Sequence, residues 1–91
     1  MPTSRYSITF SGRVQGVFFR ATTLEISRRF AIKGWVRNER DGSVRCIAEG
    51  DRKELDAFVE AITHAKQSNI ENVQIDTSDS TGEFEGFNIR Y

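Results

Sequence analysis

Tyr6-Ser7-Ile8-Thr9-Phe10-Ser11-Gly12-Arg13-Val14-Gln15-Gly16-Val17-Phe18-Phe19-Arg20 contains the changes of period on which the fold turns. Tyr6, Ile8 and Phe10 alternate with Ser7, Thr9 and Ser11, the pattern of a strand with one buried face. Gly12 to Phe19 break the alternation, and from Arg20 a helical period takes over. Thr23, Leu24, Ile26, Ser27, Phe30 and Ala31 fall on one side of that helix, with Thr22, Glu25, Arg28 and Arg29 on the other. A strand therefore passes through a glycine-containing loop into a helix.

The rest of the chain extends this unit. Gly34 begins a second extended segment, Trp35-Val36-Arg37-Asn38-Glu39, and Asp41-Gly42 marks a hairpin because both residues tolerate the positive φ of a tight turn. Val44, Cys46 and Ala48 alternate with Arg45, Ile47 and Glu49 as a third strand. Asp51 and Glu54 have the spacing of a capping box, and Leu55, Phe58, Val59 and Ile62 stripe a second helix that runs to about Lys66. Lys66 to Asn69 form a polar connection to a fourth strand marked by Val73, Ile75 and Thr77. Ser78 to Glu83 form a loop, and Phe87, Ile89 and Tyr91 mark a short final strand. The order βαββαβ plus a C-terminal strand predicts a ferredoxin-like α+β sandwich, with a mostly antiparallel sheet and both helices on one face.

Composition bounds the function. The 91 residues amount to a single domain, residues 1–91, and seven Phe, two Tyr and one Trp supply apolar bulk for its core. Lys plus Arg equal Asp plus Glu at 13 each, so no whole-molecule field draws the chain to nucleic acid or to an anionic membrane. Cys46 is the only cysteine, which excludes an intrachain disulfide and fits a reducing compartment. Met1-Pro2-Thr3-Ser4-Arg5 lacks the apolar core of a signal peptide, and no window reaches membrane-spanning length. These features predict a cytoplasmic protein, read as a monomer because nothing in the sequence points to oligomerisation.

Topology brings two parts of the chain together. A β-α-β crossover places strands one and two parallel, with their carboxyl ends at one edge of the sheet, where ligands tend to sit. The Gly12 to Phe19 loop leaves strand one there, and Asn38 lies near the end of strand two. Gly12 and Gly16 allow successive amides to turn inward as a nest, and the unpaired N–H groups of the following helix add to its positive field. Arg20 offers a planar fork for two phosphate oxygens. The loop lacks the Gly-Lys-Ser/Thr of nucleoside triphosphate sites and the glycine spacing of dinucleotide sites, so an anion cradle and a plain strand-to-helix turn both remain open.

The chemistry available there is narrow. No carboxylate pair is identifiable, His64 falls on a polar helix face away from the loop, and no metal-ligand cluster is visible. Asn38 can hold a water but cannot take its proton at ordinary pH. Such a site suits phosphoryl transfer with a leaving group that departs unprotonated. An acyl phosphate fits, since its leaving carboxylate has a conjugate acid of pKa roughly 4 to 5. The competing reading is a noncatalytic module that binds phosphate or a phosphorylated ligand. An RNA-recognition reading lacks exposed aromatics on strand three.

Gly12-Arg13-Val14-Gln15-Gly16-Val17-Phe18-Phe19-Arg20, with Gly34-Trp35-Val36-Arg37-Asn38 and Asp41-Gly42-Ser43-Val44, resembles the paired signature of the acylphosphatases, and Gly82 to Tyr91 is similar to that family's ending. The resemblance implies hydrolysis of an acyl phosphate to a carboxylate and inorganic phosphate, a reaction for which the residues themselves call for no metal or cofactor. It implies that Arg20 and the amides of Gln15, Gly16, Val17, Phe18 and Phe19 bind the phosphoryl group, and that Asn38 holds the attacking water. Gln15 is expected to contribute its amide with its side chain in solvent, and Phe18, Phe19 and Trp35 to serve the scaffold. Ala21-Thr22-Thr23, Phe30 to Lys33 and Lys66 to Asn69 depart from the family's commonest choices.

Overall fold

Residues 3–91 are described by a computed structural model, and Met1 and Pro2 of the polar N-terminus lie outside the described residues. Strand β1, Ser4–Gly12, buries Tyr6, Ile8 and Phe10 as its alternation requires. Helix α1 (Phe19–Ser27) follows, then β2 (Ile32–Asn38), β3 (Val44–Gly50), α2 (Arg52–Ala65), β4 (Ile70–Asp79) and β5 (Phe87–Arg90). The sheet order is β4-β1-β3-β2-β5. β3 runs antiparallel to both β1 and β2, so those two strands are parallel and end at the same edge with β3 between them. β5 joins the sheet parallel to β2.

One sheet face and the two helices enclose the core. Phe10, Val36, Val44, Cys46 and Ala48 from the strands meet Phe19 and Ile26 of α1 and Leu55, Phe58 and Ile62 of α2. Phe10 and Phe19 approach to 5.0 Å between ring centroids, while Phe58 meets Phe30 at 6.2 Å and Phe87 at 5.6 Å. Burying each such side chain contributes roughly 1.5–3 kcal/mol. Burial also pushes the Cys46 thiol pKa well up, which suits a small apolar core residue rather than a nucleophile.

Four local features differ from the sequence reading. Helix α1 stops at Ser27 rather than continuing to Ala31: the amides of Arg28, Arg29 and Phe30 bond to carbonyls three residues back, at 3.2, 3.0 and 3.2 Å. That tighter turn frees Phe30 to reach Phe58, and β2 begins at Ile32, ahead of Gly34. Within β2, a Cβ on Gly34 would lie 1.8 Å from the Ile47 carbonyl oxygen, so this glycine permits close strand approach instead of marking the strand's start. The capping box does not form. Asp51 makes no side-chain cap bond, and Glu54 instead accepts a 2.8 Å hydrogen bond from the Ala31 amide, tying the start of α2 to the entrance of β2. Finally, β4 takes in Ser78 and Asp79, which pair with Arg5 and Ser4 of β1.

Glu49 supplies a contact that strand periodicity hides. It lies on the face away from the helices, yet its side chain is only 7% exposed. Its carboxylate accepts from Arg5 Nε at 2.7 Å, from the Thr81 and Gly82 amides at 2.9 and 3.0 Å, and from the Thr81 hydroxyl at 3.1 Å. Arg5 also pairs with Glu83. This cluster anchors the connection from β4 to β5 and so positions the end of the chain.

Candidate active site

The loop between β1 and α1 is braced on three sides. Gly12, at φ +122°, lies where the β1–β4 register shifts, and a Cβ there would sit 2.5 Å from the Asn69 carbonyl oxygen. Its role is close approach, with Arg13 N donating to that same carbonyl at 2.9 Å. Gln15 Nε2 donates to the carbonyls of Glu39 at 2.6 Å and Ser43 at 2.9 Å, joining the loop to the β2–β3 hairpin. Lys66 Nζ donates to the Val17 carbonyl at 2.7 Å from the end of α2. The hairpin is itself ordered by Asp41, whose carboxylate accepts from the Ser43 amide at 3.0 Å and hydroxyl at 2.6 Å.

Between these braces the backbone turns through two left-handed residues, Gly16 at φ +76° and Phe18 at φ +60°. Alternation of this kind lets successive N–H groups converge. Among the described residues, the amides of Gln15 through Arg20 donate to no backbone carbonyl. Phe18 occupies the N-cap of α1 without a side-chain cap, and no acidic residue stands in the helix's first turn. The positive end of the helix is therefore free to act on an anion. A left-handed Phe is sterically costly, by about 1–2 kcal/mol, and it survives because the surrounding loop is clamped.

Arg20, Asn38, Gly16, Phe18, Ile89 and Tyr91 are among the residues that line one cleft of about 270 Å³. The meeting of loop and Asn38 expected from topology is thus present. Arg20 makes no ion pair with a described residue; its guanidinium carbon stands 4.8 Å from the centroid of the Tyr91 ring. Asn38 ends β2, opposite Val44, and is one of the residues of the cleft wall. No carboxylate and no histidine side chain lines the cleft. Among the described residues no group of three or more His, Cys, Asp or Glu is placed to hold a metal ion.

Two expectations about side chains need correction or division. Gln15 does not leave its side chain in solvent, because the two carbonyls of the hairpin lie within reach of its amide donors. Phe18 is 82% exposed at the cleft and is not scaffold, whereas Phe19, at 2%, is core. Trp35 is a packed residue, as expected, beneath the Arg37 and Arg90 guanidinium groups. Lys66 and Tyr91 are additions that no local motif announces, since each depends on where a later element docks.

The family model and the sequence relatives agree on one family. The acylphosphatase family model matches residues 6–89. An acylphosphatase of Salinibacter ruber is 46% identical over 87 residues, spanning 94% of this chain and 92% of that protein. One from Pelotomaculum thermopropionicum is 37% identical with both chains fully covered. The crystal structure of acylphosphatase from Bacillus subtilis superposes with a TM-score of 0.89 at 35% identity, covering 97% of this chain and 99% of that one.

Proposed function

This chain belongs to the acylphosphatase family, and from that premise we propose that Arg20 and the amides of Gln15, Gly16, Val17, Phe18 and Phe19 hold the phosphoryl group of an acyl phosphate while Asn38 positions the attacking water. The activity is hydrolysis of the carboxyl-phosphate bond to a carboxylate and inorganic phosphate. The observation that carries the assignment of roles is the shared cleft: Arg20, the left-handed loop and Asn38 face one volume.

The proposed step needs no side-chain acid or base. The water oxygen bonds to phosphorus as the bond from phosphorus to the acyl oxygen breaks, and the electron pair leaves on the carboxylate. Both protons of the water remain with the phosphate product. In a loose transition state the charge spreads over the phosphoryl oxygens, where the Arg20 fork and converging N–H groups stabilise it. Asn38 contributes by orientation, accepting from the water through its carbonyl oxygen. A phosphate monoester would require protonation of its leaving alkoxide, and no carboxylate or histidine side chain lines the cleft to supply that proton.

The reading further takes residues 1–91 as a single domain acting as a cytoplasmic monomer without metal or cofactor. Charge balance and the buried Cys46 support this view of its setting. No helix among the described residues is long and apolar enough to cross a membrane. The test is benzoyl or acetyl phosphate hydrolysis in EDTA with inorganic phosphate as competitor. Turnover that persists in EDTA and falls with added phosphate is expected; saturable phosphate binding without turnover would favour a noncatalytic phosphate-binding module.

A further inference from the structure

The sheet face that the helices leave open carries a row of side chains spanning all five strands. Register places Gln74 of β4 opposite Thr9 of β1, Thr9 opposite Arg45 of β3, Arg45 opposite Arg37 of β2, and Arg37 opposite Arg90 of β5. Three arginines thus stand in adjacent positions on neighbouring strands, which lie about 4.8 Å apart. Like charges directly opposite one another destabilise a sheet, so this arrangement works against the fold that carries it.

Glu39 and Asp41 line the same surface as Thr9, Arg40 and Arg45, yet three arginines in the row and Arg40 beside them leave it net positive. Glu39 pairs with Arg37 at 3.1 Å, while Arg45 Nη2 has only the Ser7 hydroxyl, at 3.0 Å. Among the described residues Arg90 forms no ion pair. Arg37 Nε is buried without an acceptor. The Arg37 and Arg90 guanidinium carbons lie 4.7 and 4.8 Å from the centroid of the same Trp35 ring, which holds both cations over one aromatic platform.

We propose that the Arg45–Arg37–Arg90 row, with Thr9 beside it, binds a linear oligophosphate, either free or as the phosphate chain of a nucleotide. A single phosphate can meet two neighbouring forks, whereas linked phosphates repeat their charge along a line as the three arginines do. RNA is a poorer match. Trp35, 8% exposed beneath two guanidinium groups, has no free face for a base, and the chain's net charge is zero. The site is separate from the catalytic cleft: Arg37 and Asn38 are consecutive in β2 and so face opposite sides of the sheet.

Trp35 is the only tryptophan, so its single indole N–H reports on this platform. Proton–nitrogen correlation spectra are to be recorded while inorganic tripolyphosphate is added to protein already saturated with inorganic phosphate, at low ionic strength. Saturable shifts at Thr9, Arg37, Arg45, Arg90 and the Trp35 indole are expected. Arg45→Ser should weaken binding about tenfold, while Arg52→Ser, an exposed arginine on α2, leaves it unchanged. Acyl phosphate hydrolysis should survive Arg45→Ser. A nucleoside triphosphate arm distinguishes the sources, equal affinity indicating the phosphate chain alone and tighter binding a nucleotide. Absence of saturable shifts, or equal weakening by Arg45→Ser and Arg52→Ser, overturns the proposal.

Discussion

Arg20 and Tyr91 meet at the cleft, with the guanidinium carbon 4.8 Å from the ring centroid. The two residues lie far apart in the sequence, and they meet because β5, paired parallel to β2, carries the end of the chain to the cleft. Tyr91 is 94% exposed, so it adds little to the core. Its effect is to limit the positions available to the Arg20 fork.

Tyr91→Ala is therefore expected to weaken phosphate binding with little change in thermal stability. A partly exposed cation–π contact of about 0.5–2 kcal/mol corresponds to roughly 2- to 30-fold in affinity. Tyr91→Phe should keep the parent affinity, since the ring rather than the hydroxyl faces Arg20. Phosphate inhibition constants measured beside melting temperatures separate this effect from unfolding.

Gln15 tests whether loop and hairpin must move as one. Gln15→Ala removes both bonds to the Glu39 and Ser43 carbonyls and should cost about 1–3 kcal/mol in denaturant unfolding, together with a loss of catalytic efficiency. Gln15→Glu should be worse, because an ionised carboxylate cannot donate to either carbonyl. Parent-like behaviour of both variants would remove the brace from the account.

Phe18 and Phe19 should respond in opposite ways despite being neighbours. Phe19→Ala empties a core position against Phe10 and should cost about 3–5 kcal/mol. Phe18→Gly loses almost no burial and relieves a left-handed Phe, a gain of about 1–2 kcal/mol offset by about 0.5–1 kcal/mol of glycine entropy. Stability equal to or slightly above the parent is expected, as read by chemical denaturation.

The Glu49 cluster predicts an acid limit to stability. Burial alone would raise the Glu49 pKa, but the Thr81 and Gly82 amides, the Arg5 guanidinium and the Thr81 hydroxyl outweigh it and hold the carboxyl below its ordinary value. Arg5 and the Thr81 hydroxyl likewise lower Glu83. A lowered folded-state pKa contributes stability that is complete above the unfolded value of about 4.3 and is lost as pH falls through the folded value. Denaturation midpoints should thus be level near neutrality and drop below about pH 4. Glu49→Gln should flatten that drop while lowering neutral-pH stability by roughly 2–3 kcal/mol.

Legibility in the sequence followed the range of the interaction. Strand alternation in β1 and the stripe of α2 are local patterns, and the crossover rule carried them far enough to bring Asn38 to the Gly12–Arg20 loop. Features that depend on partners distant in sequence stayed hidden. The buried Glu49 needs Thr81 and Gly82, the brace at the Val17 carbonyl needs Lys66, and the Arg20 platform needs Tyr91. Glu54 illustrates the opposite error: its spacing from Asp51 suits a capping box, yet its carboxylate accepts from the Ala31 amide instead. The exposed, left-handed Phe18 breaks the usual expectation for an aromatic, and it does so at the cleft.

The most direct test of the division between holding and aiming compares Arg20→Gln and Asn38→Ala in benzoyl phosphate hydrolysis, with inorganic phosphate binding measured on the same folded proteins. Asn38→Ala is expected to lower kcat by about 10²–10³-fold while phosphate still binds, and Arg20→Gln to weaken phosphate binding as well as turnover. Parent-level kcat in Asn38→Ala, or undiminished phosphate affinity in Arg20→Gln, would contradict the account.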